Sequence, residues 1–338
     1  SDGAFDQSFG NNGSTTILIS MGGAQLKSIK IDSYDRILLG TTESSGSSQL
    51  FSITRLLSNG TLDASFGING RTTIKPSGYA VNLYGIDCNV QSEVYATGLG
   101  KSSSTGDEDF ITVRLTSSGQ IDNSFGTQGF VIKNYGPRSG ATAIKLQDDD
   151  KIIVAGYFGD TYVGKFGIVR YMPNGSLDSA FGTNGVVNTS FTNSADVPYA
   201  ISIQPDGKII VVGYANVLYL QETNNADFAL SRYLPNGDLD PSFGNSGRLI
   251  SRPGNGNDEL HGVLLQPDGK IVVCGYATTQ GYNRPTAARY LNGNPYLYIS
   301  NISSNEILTV GTQKNIRWGS FDIASIRLEL STDGGTTW

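Results

Sequence analysis

Apolar positions along residues 200–250 fall into four short runs, at 200–203, 208–213, 228–233 and 248–250. The runs are rich in β-branched and aromatic residues and bounded by polar clusters, the pattern of β-strands. Gln204-Pro205-Asp206-Gly207 separates the first two. Its Pro fixes its own φ and its Gly supplies a positive one, so it reads as a tight turn. A longer loop follows, and Pro235-Asn236-Gly237-Asp238 turns the chain again before the fourth run. The expectation is a four-stranded antiparallel unit.

That unit repeats. A nonamer, apolar-Asp-x-Ser/Ala-Phe-Gly-x-x-Gly, occurs five times, with its phenylalanines at Phe9, Phe66, Phe125, Phe181 and Phe243, spaced 57, 59, 56 and 62 residues apart. An Arg followed by Leu or Tyr recurs at Arg55, Arg114, Arg170, Arg232 and Arg289, and the first four lie 11 residues before a nonamer Phe. Phe9 has no such Arg before it, and Arg289 has no Phe-Gly after it.

Four strands per unit and a period of about 58 residues predict propeller blades. The two half-units suggest a ring closed by both chain ends. Residues 1–20 would add the outer strand, at 15–19, to three inner strands from 260–292. The fold expected is therefore all-β: a five-bladed β-propeller over residues 1–293, closed by N- and C-terminal strands. A solenoid is the alternative, but it would leave two half-units unpaired. Beyond Pro295 the pattern changes, and runs at 296–302, 307–310, 315–318 and 326–330 read as a partial Ig-like β-sandwich over 294–338.

Composition adds limits. Charged residues are 16% and aromatics 10%, with 43 Gly among 338 residues, which suits a turn-rich β protein. Net charge is −6 without a basic run, so a nucleic-acid partner is not expected. No apolar stretch approaches the ~20 residues of a membrane span, so direct membrane insertion is not expected. The chain opens at Ser1 without a Met, which reads as a processed or trimmed terminus. Low charge with many Ser, Thr, Asn and Tyr leans towards a secreted or cell-surface protein. Cys88 and Cys274 fall on strands of non-neighbouring blades, so no bond between them is expected.

The nonamer reads as scaffold. Asp6, Asp63, Asp122, Asp178 and Asp240 each stand where a carboxylate caps nearby backbone N–H groups. Phe9, Phe66, Phe125, Phe181 and Phe243 would fill the wedges between blades, each contributing roughly 1.5–3 kcal/mol on burial. The repeated Arg would tie strand three to the next turn.

The string Asp-Gly-Lys-Ile, then Arg-Tyr-x-Pro-Asn-Gly-x-Leu-Asp-x-Ser/Ala-Phe-Gly-x-x-Gly, is clearest in residues 166–185 and 228–247. It resembles the delta-60 repeat family over about residues 1–292. The resemblance implies a β-propeller-like fold and an exported or surface bacterial protein, often carrying Ig-like or sorting domains. It implies no defined enzyme activity. The second unit departs from the pattern, with Asp87-Cys88-Asn89-Val90-Gln91-Ser92-Glu93 in place of the Asp-Gly turn.

In an up-and-down blade the repeated turns share one face and the variable loops the other, where function tends to sit. Tyr162, Tyr219, Tyr282 and Asp160 on those loops are the candidate ligand-binding residues, suited to a glycan or a surface protein. Tyr157, Tyr214 and Tyr276 follow strand two and read as packing between blades. His261, the one His, excludes a multi-His metal site. Asp148-Asp149-Asp150 aligns with the Pro-Asp-Gly turn, and Ser331–Trp338 matches an Asp-box hairpin. No cofactor and no metal is expected. The function expected is non-enzymatic: surface display, adhesion or glycan or protein binding. A structural role in a larger assembly is one alternative. A glycoside hydrolase is the other, using Asp32, Asp87 and Glu259.

Overall fold

The computed structural model describes residues 3–19, 22–45, 48–159, 164–217 and 225–292, with the backbone of 296–299 and 318–321. The apolar runs become antiparallel strands taken in chain order. The first sheet holds β1 (Ala24–Ile31), β2 (Ile37–Ser45), β3 (Ser48–Leu56) and β4 (Arg71–Ile74). The second holds β5 (Tyr79–Cys88), β6 (Val94–Ser102), β7 (Glu108–Leu115) and β8 (Phe130–Lys133). The third holds β9 (Arg138–Leu146), β10 (Ile152–Gly159), β11 (Gly164–Tyr171) and β12 (Val186–Thr189). The fourth holds β13 (Asp196–Ile203), β14 (Ile209–Val217), β15 (Asn225–Tyr233) and β16 (Arg248–Ser251). The fifth has three strands, β17 (Asp258–Leu265), β18 (Ile271–Thr279) and β19 (Tyr282–Tyr290). One parallel bridge, Glu108 to Arg138, joins the second sheet to the third. The second unit makes its first hairpin without a glycine, since Ser92 takes the positive φ of 61°.

The second, third and fourth sheets bury both faces against their neighbours, which is why their strands are almost continuously apolar. The first strands form the inner layer, β1 packing on β5, β5 on β9, β9 on β13 and β13 on β17. Four apolar clusters fill the four gaps between sheets, and the nonamer phenylalanines Phe66, Phe125, Phe181 and Phe243 each sit in one.

The repeated Arg spans each gap. Arg55 Nε donates to Asp63 Oδ2 at 2.8 Å in its own unit, while Nη1 donates to the Ser117 carbonyl of the next at 2.5 Å. Arg170 does the same with Asp178 at 2.8 Å and Pro235 at 2.6 Å, and Arg232 with Asp240 at 2.9 Å and Asn292 at 2.5 Å. Arg114 reaches Asp122 through Nη2 at 2.7 Å and Pro173 at 2.8 Å. Each guanidinium also lies over its nonamer ring, 4.5 Å above Phe66 and Phe181. The buried charge is thereby paired, hydrogen-bonded and stacked, which offsets its desolvation.

The expected closure into a five-bladed ring is overturned. Among the described residues no sheet closes, and β17 does not pack on β1 as β5 packs on β1 and β17 on β13. Residues 15–19 form no strand with β19. The half-unit at 3–19 lies against the first unit through the contacts that later nonamers repeat, with the Gly10 N–H donating to the Asn59 carbonyl at 2.7 Å and Thr15 Oγ1 to that of Gly60 at 2.7 Å. The sheets thus form an open, propeller-like arc. Its first strand shows the difference: Leu26 and Ile29 are 59% and 65% exposed, whereas Leu83 and Ile86 at the same positions of β5 are 0% and 6% exposed. The separate Ig-like sandwich is not indicated either. Among the described residues after 292 there is one two-stranded ladder, β20 (Tyr296–Ile299) with β21 (Trp318–Phe321). The Asp-box match at 331–338 lies outside the described residues. Among the described residues no helix is long and apolar enough to cross a membrane.

Candidate functional site

Every first strand carries a β-bulge at the same place. In β5, Leu83 faces Gly98 and Gly85 faces Thr97, leaving Tyr84 without a partner. The same slip leaves Lys27 unpartnered in β1, Thr142 in β9, Tyr199 in β13 and His261 in β17. A bulge bends its strand and re-aims one side chain, a device common beside binding sites. Here it occurs once per sheet on the inner layer.

In four sheets strand two answers the bulge with a glycine, Gly98, Gly156, Gly213 or Gly275, facing the residue before it, while in the first sheet Leu26 faces Thr41. A Cβ on Gly213 would fall on the Val197 carbonyl oxygen, and one on Gly275 on that of Glu259. Only glycine lets the bulged strand approach this closely. The residue after this position is Thr42, Leu99, Tyr157, Tyr214 or Tyr276.

These two sets meet around a cavity of about 280 Å³ lined by Tyr84, Arg138, Thr142, Tyr157, Tyr199 and Tyr214. Thr142 is buried, and its hydroxyl donates to the Pro198 carbonyl at 2.6 Å, which ties the third sheet to the fourth. Glu108 holds one wall, accepting from the Tyr157 hydroxyl at 3.2 Å and lying 3.6 Å from Arg138 Nε. Burial, then the Glu108 charge, pushes the Tyr157 hydroxyl up, so it stays a neutral donor. Burial and Glu259 do the same to Tyr199, and burial and Glu108 to Tyr84.

Rings continue the row on both sides. Lys27 Nζ lies 5.7 Å over the Tyr84 ring. Tyr199 is 5.9 Å from Tyr214 and stacks on His261 at 4.6 Å, and His261 stacks on Tyr276 at 5.9 Å. Glu259 sits 3.4 Å from His261 Nε2. Burial would raise the Glu259 carboxyl, but His261 and Tyr276 outweigh it and hold it below its ordinary value.

Of the loop residues expected to bind, Tyr162, Tyr219 and Asp160 lie outside the described residues. Tyr282 starts β19, is 67% exposed and carries Arg284 5.5 Å over its ring, away from the cavity lining. Asp63, Asp122 and Asp240 each cap the backbone N–H two residues on at 3.0 Å and hold their Arg, whereas Asp6 bonds Ser8 alone. The carboxylates proposed for a hydrolase do not converge. Asp32 is held by Arg36 and Asp87 by Lys30 at the far ends of their strands, while Glu259 is the second residue of β17. Five residues of strand separate those levels, about 16 Å, against the 5–9.5 Å that glycosidases use. Among the described residues no group of three or more His, Cys, Asp or Glu could hold a metal. Cys88 is free and buried, which pushes its thiol up to about 11, and Cys274 is free and exposed.

Sequence comparison ties the repeated frame to a family. Residues 35–66, 97–125, 147–181, 204–243 and 266–293 match the model described as "Domain of unknown function (DUF5122) beta-propeller". A beta-propeller-like DUF5122 domain spans most of the chain. The first four DUF5122 segments each end on a nonamer Phe. This match replaces the delta-60 resemblance, and neither a delta-60 repeat nor an added Ig-like domain is indicated. The expectations of secretion and adhesion gain no support from this match. No curated protein matches. Among solved structures, a protein of unknown function from Bacteroides caccae is similar at 11% identity and a TM-score of 0.43, over 75% of this chain and 72% of that one. This chain is thus a β-sheet protein related to DUF5122.

Proposed function

We propose that this domain is a non-enzymatic binding module that takes a saccharide ring in the tyrosine-lined cavity. One observation carries the reading: four tyrosines, Tyr84, Tyr157, Tyr199 and Tyr214, brought by bulges and strand-two positions of three sheets to one cavity. A tyrosine offers a flat apolar face with a hydroxyl at its tip, which matches a pyranose with its C–H faces and equatorial hydroxyls. Arg138 and Glu108 add a donor and an acceptor at the wall. The cavity volume suits one or two sugar rings and little more.

A glycan array probed with the intact protein is the test. Binding to gluco-configured glycans, lost on Tyr214→Ala with the melting temperature kept, is the expected result. No binding to any glycan sinks the reading. A second reading, a building block of a larger assembly, is favoured by the exposed Leu26, Ile29 and Ile31 on β1. Light scattering that finds only monomer from micromolar to millimolar concentration removes it.

A further inference from the structure

The cavity does not end the aromatic row. Beyond Tyr199 and Tyr214 the fifth sheet places His261 at its bulge and Tyr276 after its glycine, the same two positions that build the cavity in the fourth. Their rings form a continuous stack, Tyr199 to His261 at 4.6 Å and His261 to Tyr276 at 5.9 Å. The imidazole side chain is 48% exposed, so the stack is open to a ligand. Glu259, held ionised, stands at its edge as an acceptor for hydroxyl groups.

We infer that the bound saccharide is a linear oligomer that runs along the inner layer, with its first rings in the cavity and further rings on Tyr276 and His261. This rests on the saccharide reading of the cavity. The repeat itself supplies the logic: each sheet adds one bulge residue and one strand-two residue at a fixed step, so a ligand with its own repeat gains contacts sheet by sheet. On the other side Lys27 caps Tyr84, and the strand-two residues of the first two sheets are Thr42 and Leu99. The row therefore extends towards the fifth sheet and not towards the first.

The test is calorimetric titration of the intact protein with β-1,4-linked glucose and N-acetylglucosamine oligomers of one to six rings. In one series affinity should rise at least tenfold between two rings and five. In Tyr276→Ala, and separately in His261→Ala, the ratio of five-ring to two-ring affinity should fall to near one. Binding that is equally tight at every length overturns the extended site and leaves the cavity reading standing. A ratio unchanged in both variants also overturns it. No binding of either series overturns both.

Discussion

Arg232 and Arg289 occupy the same position of successive repeats, and the open arc requires that they differ in worth. Arg232 is fully buried, with Nε on Asp240, Nη1 on the Asn292 carbonyl, Nη2 on Ser242 at 3.0 Å, and its plane 4.7 Å from the Phe243 ring. Arg232→Ala leaves the Asp240 carboxylate buried, with Lys208 at 3.6 Å as its nearest remaining cation. Breaking a buried pair costs about 3–5 kcal/mol, and the lost ring contact falls within that range because the two act on one group. At an unfolding entropy of about 2.1 cal/mol/K per residue, a chain of this size shifts by roughly 1.5 °C per kcal/mol, so melting should drop by about 4–8 °C. Arg289 is exposed, with Gln266 Oε1 at 3.4 Å. Arg289→Ala should stay within about 0.5 kcal/mol, or roughly 1 °C. Differential scanning calorimetry on both variants decides. Equal large losses would mean that Arg289 is clamped across a closed ring, and equal small losses would refute the staple itself.

Three further outcomes are expected. Burial opposes the ionisation of Asp63 and Asp240, but their Ser and Arg partners win, and Ser124 leads in holding Asp122 low, so all three carboxyls titrate below the ordinary value. Their stabilisation is present above the unfolded carboxylate pKa of about 3.9 and lost as pH falls through the depressed folded values. Asp196, raised by burial, acts oppositely and favours the acid side, so melting should fall more shallowly below pH 4 in Asp240→Asn than in the native chain, and an unaltered profile would contradict the assignment. Gly213→Ala should cost about 1–3 kcal/mol by overpacking the bulge and should also abolish saccharide binding, because Tyr199 loses its pose; a stable variant that binds normally would refute the bulge argument. Gln128 holds a φ of 52°, where other units place Asn12, Asn69 and Asn184. Gln128→Asn should therefore stabilise by about 0.5 kcal/mol in urea unfolding, since Asn tolerates this conformation better, and a loss of stability would count against it.

Much of the frame was legible in the chain. Pro-Asn-Gly and Asp-Gly turns, the 11-residue offset from Arg to Phe and the β-branched runs all encode local geometry, and each appears where the spacing puts it. Closure was not legible, because half-units at Phe9 and Arg289 satisfy a ring and an open arc equally well on paper. Strand pairing decides it: no strand forms at 15–19, and β19 pairs with β18 alone among the described strands. The tyrosine row was not legible either, because the variable loops of Tyr162 and Tyr219 carry the more conspicuous rings. Tyr84, Tyr199 and His261 sit inside apolar strands and look like ordinary strand residues. The available signal was the glycine recurring within strand two, as at Gly98, Gly156, Gly213 and Gly275. An isolated glycine in a strand pattern marks a bulge or a close backbone approach, and here it marks both.

The bulge row as a saccharide platform is tested most directly by a crystal structure grown with the six-ring β-1,4-linked N-acetylglucosamine oligomer. The account predicts sugar rings over Tyr84, Tyr157, Tyr199 and Tyr214, continuing onto His261 and Tyr276. Sugar bound at the repeated turns or the outer strands, with the tyrosine cavity holding only water, would contradict it.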